Sequence, residues 1–156
     1  MMLDRENTIS NKQTIAAVVS TIVGTDKIDT GLPGTLPPGF QARGSAPHYT
    51  QGGARMELLC QITTTVTSGG AATLQVQVIA DDDVAMGSPV VLCSSAVIAL
   101  ATLVAGYQFR LELPVFPNAG ADSRYLCAQY VIAGATTTAG NITTALVCDK
   151  QLTNVR

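Results

Sequence analysis

The residues that could do chemistry are few and widely spaced. His48, in "APHYT", is the sole histidine of 156 residues. A Ser-His-Asp triad or a histidine metal cluster would have to be built around this one imidazole. Neither a nucleophile motif nor a second ligand stands near it, so it reads as an ordinary loop histidine. Asp81, Asp82 and Asp83 form a run of carboxylates. A calcium loop spaces its acids at alternate positions, whereas neighbouring side chains of an extended run point opposite ways. This run reads as a solvated turn. Cys60, Cys93, Cys127 and Cys148 are far apart, with no CxxC pair. They read as reduced thiols and small buried hydrophobes rather than as a zinc site. Asn141, Ile142 and Thr143 match the N-glycosylation pattern, which matters only on a secretory route. No Gly-rich phosphate loop follows a strand and opens a helix. With no catalytic constellation, the reading is a non-enzyme that uses neither metal nor cofactor.

Composition narrows the classes further. Net charge is −2 and no basic run exists, so the electrostatic footprint of direct nucleic-acid binding is missing. Aromatic residues make up 4% and Trp is absent, which removes broad stacking platforms for bases or sugars. The start, "MMLDRENTISNKQTI", mixes charges of both signs and lacks an apolar core, so no secretory signal is expected.

The stretch Val84–Phe109 carries no charge, and about 20 apolar residues would cross a bilayer as a helix. Gly87, Ser88 and Pro89 interrupt its start, Ser94 and Ser95 its middle, and no basic flank precedes it. It runs into "YQFRLELP", where Tyr107, Phe109, Leu111 and Leu113 alternate with Gln108, Arg110 and Glu112. Period two is a strand half-buried in a sheet. The expectation is a pair of buried strands with a tight connection, and no membrane partner.

The elements around these residues read as one β domain over 1–156. Residues 1–20 give a polar N-terminal arm and a first strand region, with "TIAAVVSTIV" extended because of its β-branched density. Residues 30–54 are rich in Gly and Pro and form a long loop. Residues 55–150 hold the core strands. "RMELLCQITTTV" puts Met56, Leu58, Cys60 and Ile62 on one face, against Glu57, Gln61 and Thr63. "ATLQVQVIA" puts Leu74, Val76 and Val78 inward. "RYLCAQYVIAG" does the same with Leu126, Ala128, Tyr130 and Ile132, and "NITTALVCD" with Ile142, Thr144, Leu146 and Cys148. "TSGG", "PNAGADS" and "ATTTAGN" read as turns. Short alternating strands with turns every 8 to 12 residues imply an antiparallel β-sandwich or barrel.

Laid out in this way, the chain resembles the Bbp16-like capsid cement proteins of tailed bacteriophages. The likeness rests on "VTSGGAATLQVQVIADDD", "SPVVLCSSAVIALATLVAGYQFRLELP" and "RYLCAQYVIAGATTTAGNITTALVCD", with a weaker echo in "STIVGTDKIDTG". It covers roughly residues 20 to 150, and Thr30–Gly53 is longer than the family pattern implies. The resemblance implies a jelly-roll β-sandwich on the outside of the virion capsid, made and assembled in the bacterial host cytoplasm. It implies the major capsid protein as partner, and self-association as a dimer rather than a trimer. Within the long loop, Phe40 and Tyr49 offer apolar anchors and Arg43 a fork for a carboxylate, so Phe40, Arg43, His48 and Tyr49 are the expected capsid contacts. The alternative is a small jelly-roll module on a virion surface that binds a glycan or receptor.

Overall fold

A computed structural model describes residues 7–16, 19–29, 56–113 and 124–148. Its strands are β1 (Thr8–Thr14), β2 (Thr21–Val23), β3 (Ile28–Asp29), β4 (Met56–Ser68), β5 (Thr73–Asp81), β6 (Val90–Ser94), β7 (Ile98–Ala99), β8 (Gln108–Glu112), β9 (Tyr125–Ala133) and β10 (Thr137–Cys148). One sheet has the order β1-β10-β4-β8. The other has the order β2-β9-β5-β6, with β3 added on β9 and β7 on β5. All pairings are antiparallel.

The pairings are nested. β1 lies against β10, β2 against β9, β4 against β8 and β5 against β6. A long double ribbon folded over on itself gives this order, with successive pairs wound alternately into two sheets. That is the jelly roll. Period-two alternation puts the apolar side of each sheet inward. Leu58, Cys60 and Ile62 of β4 meet Leu74, Val76 and Val78 of β5 in one core, and Leu126, Ala128, Tyr130 and Ile132 of β9 join them. These are the inward positions expected from the sequence. Ile142, Thr144 and Leu146 of β10 are buried as expected too. The Cys148 side chain lies outside the described residues.

Three expectations need correction. Val84–Phe109 is not a pair of buried strands. β6 and β8 are edge strands of opposite sheets, so Phe109 and Leu111 are half-buried, while Val90 and Val91 are exposed at 52% and 47%. Between them the chain makes β7 and a 3-10 turn at Leu100–Thr102. The segment then runs beside β4, with Val66 donating to the Leu103 carbonyl and Gly106 to that of Ile62. No helix among the described residues is long and apolar enough to cross a membrane.

The second correction concerns the N-terminal segment. Within residues 1–20, read as a polar arm and a first strand region, the strand begins earlier than polarity implies: Thr8–Thr14 is β1, and its Ile9 is fully buried. The inward pattern is hidden by two register shifts against β10 and by Lys12, whose φ is 50°. The third concerns "ATTTAGN". The turn is confined to the residues before Thr137, with Gly134 at φ 89°, and the remaining residues open β10. Irregularity is absorbed there as register shifts, with Gly140 at φ 143° packed on Val66 where a side chain would collide.

Candidate interaction surface

The chemistry-bearing side chains among the described residues are tied into the fold. Cys60 and Cys127 are buried free thiols, and Cys93 is a half-buried one. Burial pushes all three thiols up from their ordinary range, so they stay protonated and poorly nucleophilic. Among the described residues no cluster of three or more His, Cys, Asp or Glu is placed to hold a metal.

The aspartate run divides in two. Asp82 and Asp83 are exposed, as a solvated turn implies, but Asp81 is buried at the end of β5. Its carboxylate accepts from the Asp83 N–H at 3.1 Å and the Ser88 N–H at 2.9 Å, closing the loop into β6. Those two backbone bonds hold its acid below the usual carboxylate range.

At the core's centre a row of hydroxyls joins the two sheets. The Tyr130 hydroxyl donates to Ser10 Oγ at 2.7 Å, and Ser10 donates to Gln13 Oε1 at 2.6 Å. The phenol has one proton, already committed to Ser10, so Thr144 is the donor in its 2.7 Å bond to Tyr130. Gln13 completes the row, donating from Nε2 to the Val23 carbonyl at 2.8 Å and accepting the Thr25 N–H at 3.0 Å. The β1/β2 side of the sandwich is therefore stitched shut, helped by the Asp26 N–H donating to the Ile9 carbonyl.

Among the described residues the opposite side, at β6 and β8, is less covered. Leu92 and Cys93 of β6, with Tyr107, Phe109, Leu111 and Leu113 of and beside β8, pack on the core but are only partly buried. Outside them, Val84, Val90, Val91, Val97 and Val104 are exposed. On the outer face of β8, Arg110 donates to Glu57 Oε2 at 2.9 Å.

The expected contact residues Phe40, Arg43, His48 and Tyr49 lie outside the described residues. Their stretch is flanked by Asp29 and Met56, and both sit at one pole. Asp29 pairs with Tyr125, which pairs with Asp81, and Met56 pairs with Cys148 beside the Glu57–Glu112 pair. Arg124 fixes this pole with a two-pronged grip on Asp29, at 3.1 and 2.9 Å. Its guanidinium also lies 4.8 Å from the centre of the Tyr125 ring. Sequence alternation showed which side of each strand is apolar. It carried no signal for which strands would be edges, and so missed the less covered side.

No curated protein matches the sequence. The family model of Bbp16 matches residues 9–146, from Ile9 of β1 to Leu146 of β10, and so takes in both sheets. The chain belongs to the Bbp16 family.

Proposed function

We propose that the protein is a capsid cement protein, which binds the outer surface of a bacteriophage head and bridges neighbouring major capsid protein subunits. The family match over residues 9–146 carries the reading. It supports a phage-related structural protein. Packed DNA pushes a shell outward and strains the seams between its subunits. A protein bound across a seam adds association energy there, and each copy repeats the gain. This task calls for a stiff body with projecting contacts. Two sheets stitched by the Thr144–Tyr130–Ser10–Gln13 row supply the stiffness. The proposed contacts are Phe40, Arg43, His48 and Tyr49, whose stretch is rooted at the pole held by Arg124 and Asp29. In this reading the protein is made in the host cytoplasm, resides on the capsid exterior, self-associates as a dimer, and touches neither nucleic acid nor membrane.

The test is to mix purified protein with undecorated shells. It should co-sediment with them and raise the temperature at which they break open. Protein left in the supernatant, with shell stability unchanged, would refute the reading.

A further inference from the structure

The charges of the described residues gather at one end of the sandwich. In one sheet Asp81 closes β5 opposite Tyr125, and Tyr125 lies opposite Asp29. Asp82 and Asp83 follow there, Arg124 precedes Tyr125, and Asp26 and Lys27 lead into Ile28 opposite Leu126. In the other sheet Glu57 stands opposite Glu112, with Arg110 beside them. Among the described residues, Lys12 within β1 is the one charge placed elsewhere.

The far end carries no charge among the described residues. Residues 69–72 join β4 to β5 there, and 134–136 join β9 to β10. The two turns are knitted together. Ser68 Oγ donates to the Thr136 carbonyl at 2.7 Å, and the Thr67 and Thr138 hydroxyls share a bond of 2.8 Å. A side chain on Gly134 would collide with the Ala71 carbonyl, so the turns touch directly. The 3-10 turn after β7 is tied to them by the Leu100 N–H, which donates to the Ala72 carbonyl at 3.2 Å. Around this end Val19, Val97 and Val104 are exposed, Val97 at 62%.

Buried charges must be desolvated, and the centres of interfaces are depleted of Lys, Glu and Asp. An end free of all three is readily dehydrated, and knitted turns lose little freedom on docking. A bridge between two subunits also needs two separate contact surfaces. The stretch holding Phe40, Arg43, His48 and Tyr49 is flanked by residues of the charged end. The thirteen residues of β4 run from that end to the other, about 40 Å at the rise of a strand.

We infer that the charge-free end is the second foot of the bridge, docking on an uncharged, apolar seat of a neighbouring major capsid protein subunit. This rests on the cement reading.

The experiment titrates undecorated shells with the parent, with the pair Val97→Lys and Val104→Lys, and with a control pair, Gln108→Lys and Gln129→Lys. The control adds the same charge to the outer faces of the sheets, between the ends. Charge at the end should weaken shell binding tenfold or more, while the control binds as the parent does. Thermal melts of the free proteins check that each is folded. Ala101→Lys, exposed on the 3-10 turn, gives the same reading from a second position. End variants that decorate shells as tightly as the parent overturn the inference, and so does a control weakened as much as they are. Sedimentation equilibrium of the free proteins tests another occupant. A parent that self-associates beside end variants that are monomeric would assign this end to a second copy and overturn the capsid seat. A parent that fails to bind shells refutes the cement reading itself, whereas a parent that binds beside unaffected end variants refutes only this inference.

Discussion

Tyr130 shows what a single buried hydroxyl does for this fold. Its ring fills the core from β9, while its oxygen receives the Thr144 proton and gives its own to Ser10, linking both sheets. Tyr130→Phe keeps the ring but removes two buried hydrogen bonds and takes the acceptor from Thr144, while Ser10 keeps its bond to Gln13; this should cost about 1–3 kcal/mol of unfolding free energy in urea titration. Stability equal to the parent's would contradict this role. Alternation marked Tyr130 as inward from the sequence alone. Its partner Ser10 could not be read, because a hydroxyl 120 positions away is brought close only by the topology. Asp81 gives a second prediction. Its acid is depressed by bonds made in the folded state, so its stabilising contribution is full above the unfolded carboxylate range and is lost as pH falls through the lower folded value. Thermal melts from neutral to acid pH should therefore decline more steeply for the parent than for Asp81→Asn. Parallel acid limbs would contradict it. The run of three acids read as wholly solvated because nothing local announces a carboxylate that caps its own loop.

At the scale of elements, β8 separates what alternation can and cannot reveal. It identified the inward face of "YQFRLEL" correctly, with Phe109 and Leu111 toward the core and Gln108 and Arg110 toward solvent. It gave no hint that β8 is an edge, because central and edge strands share the same period. The cost of truncation follows burial. Phe109→Ala should fall below the about 3–5 kcal/mol of a fully buried phenylalanine, and below Leu74→Ala in the central strand β5. Gln108→Ala should stay within about 0.5 kcal/mol. Equal losses at positions 108 and 109 would mean the register is off by one residue, since such a slip exchanges the faces. β1 is the converse case. Its polarity concealed a strand whose one strongly apolar residue, Ile9, is fully buried.

At the scale of the molecule, the class was legible and the winding was not. Evenly spaced strands separated by turns implied a sandwich or barrel, and the family resemblance implied the jelly roll. The nested pairing of first strand with last, over more than 130 residues, has no local signature in composition or period. Among the described residues, one side of the body is stitched and the other is less covered, and Asp29 and Met56, which flank the stretch holding Phe40, Arg43, His48 and Tyr49, sit at one pole. The cement role is tested most directly by imaging shells of the cognate phage with and without the protein and subtracting the two. The account predicts added density on the outer surface, sandwich-sized and bridging neighbouring capsid subunits. Density on the inner surface, or no difference between the two particles, would contradict it.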